Sequence, residues 1–303
     1  MSYTRKVQPN GIGRRRLRRP IDNGAVSARV VEVEGRRTRV REAGDLANPP
    51  VLLIHGIGRF LEDWEPQFER LAGDFRVIAL DLPGFGQSQR LPEPMSLSAL
   101  ARGTLATLDA LDERRPLALV GNSLGGAVAM QMLALAPDRV SRLVLVNSAG
   151  FGPEVTYLLR MLAVPVVGRL MLRRPTKVGV KHIERALYAD PALATPARVA
   201  HALQIARDPD VATAFDEIGR NLGTVRGVRS AWRAELLAAA AAQHRPVLIV
   251  WGDRDRILPP QQLEAARVAF PAARTHVFRG AGHLPQIERP DEFADVLRAF
   301  LTE

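Results

Sequence analysis

One stretch, Leu117–Ala136, constrains the fold of this chain more than any other. It opens with the apolar run Leu117–Val120, which is typical of a strand buried on both faces of a sheet. It closes with an Ala-, Leu- and Met-rich run that predicts a helix with little polar surface. Between the two lies Gly121-Asn-Ser-Leu-Gly125. A strand that passes directly into a helix needs a sharp turn, and the glycines keep other side chains away from the serine, Ser123.

The position of Ser123 in this turn has two interpretations. In one, its hydroxyl stands at the carboxyl edge of the sheet and the N-terminus of a helix, where the backbone amide of Leu124 points toward a bound oxygen. In the other, Ser123 is only the N-cap of a glycine-rich helix. The choice between them depends on partners elsewhere in the chain.

Strands and helices alternate on both sides of a helical interruption. The alternation runs through residues 25–150, stops over residues 151–245, and resumes over residues 246–303. This pattern predicts an α/β fold with a doubly wound, mostly parallel sheet and a helical cap inserted after the sixth core strand. Residues 1–24 precede the core as a basic arm that we expect to be solvated and disordered.

A serine nucleophile needs a base and an acid within reach. His283 lies in the glycine-flanked loop after the last predicted strand, at the same sheet edge as Ser123, and is the predicted base. Two acids, Asp253 and Asp255, follow the preceding strand. We favour Asp255 as the acid, with Asp253 holding the loop through backbone bonds.

The other position for an acid follows the strand Leu143–Val146, where the sequence has Asn147. An amide cannot supply the charge that stabilises an imidazolium. A second oxyanion donor besides Leu124 should come from the loop His55-Gly-Ile-Gly58, with the amide of Ile57 favoured over that of Gly58. His55 itself is expected to anchor this loop by hydrogen bonds.

Taken in order, these motifs resemble the α/β-hydrolase fold family, in the form that carries a helical cap. The motifs are His55-Gly56, Asp81-Leu-Pro-Gly-Phe-Gly-Gln-Ser88, Gly121-Asn-Ser-Leu-Gly-Gly126, Trp251-Gly-Asp-Arg-Asp255 and Gly282-His283. The resemblance implies Ser123 as nucleophile, Asp255 as acid, His283 as base, and the amides of Ile57 and Leu124 as the oxyanion hole.

The form Gly-Asn-Ser-x-Gly-Gly also resembles bacterial carbon–carbon hydrolases that act on ring-cleavage products. Those enzymes usually have a Gly-Pro loop after His-Gly and a Trp after the histidine, where this chain has Ile57-Gly-Arg-Phe60 and Leu284. We therefore expect a serine hydrolase for carboxylic esters that needs no metal or organic cofactor. The alternatives are a carbon–carbon or thioester hydrolase with the same residues, and a ligand-binding protein without turnover.

The segment Phe151–Gly168 is rich in large apolar residues and follows the strand that ends beside Ser123. We expect it to cross over the nucleophile and to make a mostly apolar pocket for the acyl group. Tyr157, Met161 and Leu284 are the predicted substrate contacts.

Charge and composition limit the kinds of partner that we expect this chain to bind. The net charge is +10, and residues 1–20 carry seven Arg or Lys and no acid. The main body lacks a nucleic-acid-binding motif, so we expect a small apolar ester as the partner, with the arm in weak contact with a membrane surface or acidic partner as an alternative. There is no cysteine, no secretory signal and no membrane-spanning run, so we expect a cytoplasmic protein. The oligomeric state stays open.

Overall fold

The computed structural model describes residues 27–303. The strands are β1 (Arg29–Val33), β2 (Arg36–Ala43), β3 (Pro50–Ile54), β4 (Arg76–Leu80), β5 (Leu117–Asn122), β6 (Val140–Val146), β7 (Gly223–Thr224), β8 (Gly227–Val228), β9 (Val247–Gly252) and β10 (Arg274–Phe278). Eight of them form one sheet in the order β1-β2-β4-β3-β5-β6-β9-β10. β2 is antiparallel to β1 and to β4, and the other neighbours are parallel. The predicted fold class is confirmed.

The helices follow in chain order. They are α1 (Glu65–Leu71), α2 (Leu97–Ala110), α3 (Leu124–Leu135), α4 (Tyr157–Leu162), α5 (Pro165–Arg173), α6 (Lys177–Leu187), α7 (Pro196–Ala206), α8 (Pro209–Leu222), α9 (Ser230–Ala241), α10 (Gln262–Ala269), α11 (Pro285–Glu288) and α12 (Pro290–Leu301). Short 3-10 turns occupy Leu61–Trp64, Pro137–Arg139 and Pro191–Leu193.

The two faces of the sheet bury separate hydrophobic clusters. Because side chains alternate along a strand, Leu52 and Ile54 of β3 join the cluster formed with α2 and α3, whereas Val51 and Leu53 join the cluster formed with α1 and α12. All five residues of β3 are buried, as are all six of β5. Because helices cover both faces of the sheet, the central strands are continuous apolar runs in the sequence.

Helix α3 packs closely against the strand that precedes it. A side chain at Gly121 would collide with the backbone of Gly125, and one at Gly125 would collide with the carbonyl groups of Ile54 and His55. Only glycine allows this approach. The glycines of the serine motif therefore bring the N-terminus of α3 against the carboxyl ends of β5 and β3.

Between β6 and β9 the chain forms α4 to α9. The sequence led us to expect no strand here, but β7 and β8 form a two-residue ladder. Its turn is possible because Gly227 adopts a φ of 115°. Helix α9 lies within the predicted cap, residues 151–245, but packs against α3 of the predicted core. The cap boundary at residue 245 therefore stays a prediction. The predicted arm, residues 1–24, lies outside the described residues. In residues 27–303 no helix combines the length and hydropathy needed to cross a bilayer.

Candidate active site

Ser123 lies in a strained turn at the carboxyl end of β5. Its φ of 56° and ψ of −119° place a non-glycine residue in the left-handed half of backbone space. The surrounding backbone holds that conformation, because the Ser123 amide donates to the Val146 carbonyl at 3.0 Å and its carbonyl accepts from Gly126 and Ala149, each at 3.0 Å. The turn is the strained strand-to-helix elbow that the motif predicts, and it leaves Ser123 7% exposed.

His283 lies in the loop between β10 and α11, next to the serine turn. Its carbonyl accepts a hydrogen bond from Nδ2 of Asn122, the residue before Ser123, at 3.0 Å. The imidazole Nδ1 lies 2.7 Å from Oδ2 of Asp255. Within residues 27–303 the Ser123 hydroxyl makes no hydrogen bond to this ring, and such contacts are often long before substrate binds.

Asp255 is completely buried at its side chain and fully hydrogen-bonded. Its Oδ1 accepts from the backbone amides of Ile257 at 2.7 Å and Leu258 at 3.1 Å. Its Oδ2 accepts from Asn147 Nδ2 at 2.7 Å and faces His283. Because an ionised carboxylate only accepts, the hydrogen on His283 belongs at Nδ1, which leaves Nε2 of a neutral ring free to take a proton.

Asn147 was considered from the sequence only as a position that lacks an acid. In the structure it lies at the end of β6 with a φ of 43° and is fully buried. Besides the bond to Asp255, its Nδ2 donates to the Gly282 carbonyl at 3.3 Å and its Oδ1 accepts from the Gly252 amide at 3.4 Å. Asn147 therefore ties together the strand end and the loops that carry Asp255 and His283.

Asp253 is exposed, and its Oδ1 accepts from the Gly280 amide at 2.7 Å. This bond connects the loop after β9 to the loop that carries His283. Asp253 makes no hydrogen bond to an imidazole in the described part of the chain. The two neighbouring aspartates thus have different surroundings, one in the solvated loop and one beneath His283.

The loop after β3 lies against Ser123. A Cβ built on Gly56 would stand 3.1 Å from the Ser123 Cβ. His55 anchors this loop, since its Nε2 accepts from the Leu82 amide at 2.9 Å and its Nδ1 donates to the Gly56 carbonyl at 2.8 Å. Burial lowers the pKa of His55, which keeps the ring neutral and able to accept.

Two backbone amides beside Ser123 have no acceptor in residues 27–303. The amide of Ile57 follows the glycine that touches Ser123, and the amide of Leu124 is the first of α3, where helix N–H groups have no intrahelical partner. The geometry can therefore present two N–H donors to an oxygen bound at Ser123. Their role as an oxyanion hole stays a prediction.

A family model described as alpha/beta hydrolase fold matches residues 49–290. The chain is an α/β hydrolase. Among curated proteins it is 35% identical over 270 residues, 89% of this chain and 68% of the other, to a dihydrolipoyllysine-residue acetyltransferase component of the acetoin cleaving system of Pseudomonas putida. It is 31% identical over 277 residues, 88% of this chain and 98% of the other, to the pimeloyl-[acyl-carrier protein] methyl ester esterase of Neisseria meningitidis.

Among solved structures, this α/β hydrolase resembles a bacterial membrane phospholipase A with a TM-score of 0.76. The two are 29% identical in sequence, and the similarity covers 92% of this chain and 86% of the other. The resemblance inferred from the motifs is thereby confirmed at the level of the family.

The helices between β6 and β9 meet the site through α8 and the C-terminal end of α6. A Cβ on Gly58 would stand 2.7 Å from the Phe215 ring, so this α8 side chain covers the loop beside Ser123. The His283 amide donates to the carbonyl of Leu187 at 2.8 Å. We had expected the segment Phe151–Gly168 to provide this cover. Phe215 was missed because tertiary packing alone brings it to the site.

The three predicted substrate contacts differ in burial. Leu284, directly after His283, is completely buried, and Met161 is half-buried. Tyr157 begins α4 and is 73% exposed, so the structure does not enclose it in a pocket. The part of the hydrolase that the structure describes contains no group of three His, Asp or Glu side chains placed to hold a metal ion.

A buried ion cluster connects the core to the cap beside the same loop. Arg59 donates from Nε and Nη2 to Asp63 at 2.7 and 2.8 Å, and from Nη1 to Glu184 of α6. All three side chains are at most 9% exposed. Burial opposes ionisation of Asp63, but the Arg59 charge outweighs it and holds the pKa of Asp63 below its usual value. The cluster links helix α6 to the turn that follows Gly58.

Proposed function

We propose that this hydrolase cleaves carboxylic esters through an acyl-enzyme formed on Ser123. The observation that carries the proposal is the 2.7 Å contact between His283 Nδ1 and the buried carboxylate of Asp255, next to a serine held in a strained turn. The contact supports the tautomer of His283 with its hydrogen on Nδ1, so that Nε2 is the nitrogen available as a base. The named esterase and phospholipase relatives support ester hydrolysis as the reaction.

The proposed reaction has two steps. His283 Nε2 takes the Ser123 proton as the oxygen attacks the ester carbonyl, and the oxyanion binds the amides of Ile57 and Leu124. His283 then gives the proton to the leaving alkoxide, so that alcohol departs and the acyl group stays on Ser123. Water, deprotonated by His283, attacks the acyl-enzyme, and His283 returns that proton to the Ser123 oxygen as the bond to the acyl group breaks and the acid leaves. Asp255 stays ionised and stabilises the imidazolium in both steps.

The acyl group we propose is apolar. Support comes from side chains near the reacting residues, since the buried Leu284 follows His283 and the Phe215 ring covers Gly58. An acyl chain that moves its own methylenes from water into apolar surroundings gains about 0.8 kcal/mol per buried methylene. Such a gain corresponds to roughly fourfold in kcat/KM for each methylene, until the space is filled.

A series of p-nitrophenyl esters of rising acyl length tests this proposal. We expect kcat/KM to rise from acetate through the medium-chain esters and then to level off. Acetate as the best substrate would contradict the apolar acyl site. Cleavage of a dienone at a carbon–carbon bond, with no ester hydrolysed, would contradict esterase activity and favour the carbon–carbon alternative.

A further inference from the structure

Exposed large apolar side chains are concentrated in one part of the cap. Of the 13 such side chains in residues 27–303, seven lie between residues 157 and 183. They are Tyr157, Val166, Val167, Leu170, Met171, Val178 and Ile183. Scattered single residues of this kind are normal on a surface, but a concentration of them marks a contact site.

Helix α5 presents four of these side chains to solvent. Val166 and Leu170 are separated by one helical turn and are 79% and 58% exposed, and Val167 and Met171 repeat the same spacing at 38% and 40%. The opposite side of the helix is covered, since Gly168 is buried and packs against the carbonyl of Leu162. The exposed apolar stripe on α5 is therefore separate from the buried side of the helix, which packs against the rest of the cap.

The charge around this helix has one sign. Residues 155–183 contain six Arg or Lys and no Asp or Glu. The basic residues are Arg160, Arg169, Arg173, Arg174, Lys177 and Lys181. The last five are exposed, and within residues 27–303 only Arg169 among them approaches an acid, Asp216, at 3.4 Å. The exposed face thus combines aliphatic side chains with uncompensated positive charge.

We propose that this face, α5 with Arg173, Arg174 and Lys177, docks the hydrolase on a bilayer that contains anionic lipid. A short amphipathic helix with aliphatic side chains on its outer face and basic residues beside them suits the boundary between lipid headgroups and acyl chains. Each basic residue near an anionic surface strengthens binding about fivefold. Protein interfaces are enriched in aromatic residues as well as in Met and Arg, and α5 has no aromatic residue to serve as an anchor.

Vesicle co-sedimentation with the full chain tests the proposal. Wild-type protein should sediment with vesicles of phosphatidylcholine and phosphatidylglycerol in equal parts, and much less with phosphatidylcholine alone. The double variant V166S/L170S should bind the mixed vesicles about tenfold more weakly, because it removes the apolar insertion. The double variant R173E/R174E should weaken binding by a similar factor or more. V268S, which changes a 75% exposed valine on α10, is the matched control and should bind like wild type.

Three outcomes would overturn the proposal. Failure of the wild-type protein to sediment with either kind of vesicle would show that this face does not bind lipid. Equal binding by wild type and both double variants would assign the interaction to charge elsewhere, including the seven basic residues among the first 20. Conversion of a dimer into a monomer by V166S/L170S, with no effect on vesicles, would assign the face to a second copy of the chain. Because binding is measured without substrate, none of these outcomes depends on esterase activity.

Discussion

Asn147 Nδ2 lies 2.7 Å from Asp255 Oδ2, the same carboxylate oxygen that faces His283 Nδ1 at 2.7 Å. The end of β6 thus contributes a neutral donor to the acid. Two loop amides, those of Ile257 and Leu258, donate to the other carboxylate oxygen, Oδ1. The arrangement fixes the carboxylate in the orientation that holds the imidazole.

Replacement of Asn147 by alanine should lower kcat for ester hydrolysis about tenfold with little change in KM, because Asp255 loses one charge-assisted hydrogen bond worth about 1.5 kcal/mol. Asn221→Ala, at an exposed position, is the control and should leave kcat unchanged. A loss confined to KM would show that Asn147 acts on substrate binding instead.

The two aspartates after β9 should differ greatly in their effect on catalysis. Asp255→Asn should lower kcat by roughly 10⁴, because the amide favours the wrong tautomer of His283. Asp253→Asn changes only the bond to the Gly280 amide and should stay close to wild type. Steady-state kinetics on a common ester compares them, and the opposite ranking would mean that the proposed acid is wrong.

Glu62 should contribute to stability in a way that depends on pH. Burial alone would raise its pKa, but the His201 ring, with its Nε2 3.5 Å from Glu62 Oε2, and the hydrogen bonds from Arg39 outweigh burial and lower the pKa to about 2 from 4.5. Since the folded pKa lies below the unfolded one, this contribution is present above pH 4.5 and is lost as the pH falls toward 2. At neutral pH it amounts to at most about 3 kcal/mol.

Denaturant unfolding of wild type and Glu62→Gln at several pH values measures this contribution. The variant should be less stable at neutral pH, and the difference should shrink once the pH falls below 4.5. Glu93→Gln, at a 47% exposed side chain paired with Arg102, is the control and should show a small difference throughout. A Glu62 difference that does not vary with pH would refute the ionic explanation.

The contact between Arg59 and Glu184 should matter for the stability of the cap. Glu184→Ala leaves a buried guanidinium with Asp63 as its remaining partner, and we expect a loss of about 3 kcal/mol in the free energy of unfolding. Glu264→Ala, at a 74% exposed side chain, should cost little. Denaturant midpoints measure both, and equal stability of the two variants would show that the cluster does not fasten the cap.

The sequence predicted the parts of this hydrolase that depend on local pattern. The apolar runs at β3 and β5, the serine turn between Gly121 and Gly125, and the order of strands and helices all follow from periodicity and glycine position. Ser96 is of a residue type that favours the helix N-cap, and its Oγ accepts from the Ala99 amide at 3.1 Å at the start of α2. These features need no information about distant residues.

The sequence could not show which residues meet across the fold. Phe215 reaches the loop after β3 only because α8 packs over it, and its apolar character is shared with many core positions. Asn147 could be recognised as a donor only when the Asp255 side chain was seen beside it. The exposure of Val166 and Leu170 could not be predicted either, because an apolar residue in an amphipathic helix is normally expected to be buried.

The central claim, that Ser123 is the nucleophile, is tested most directly by labelling with a fluorophosphonate followed by peptide mass spectrometry and ester kinetics. We predict one covalent adduct, on Ser123, which disappears in Ser123→Ala together with a fall in kcat of at least about 10³. Ser141→Ala, at an exposed position, should label and turn over like wild type. An adduct on another residue, or Ser123→Ala that folds and keeps more than a few per cent of the activity, would contradict the account.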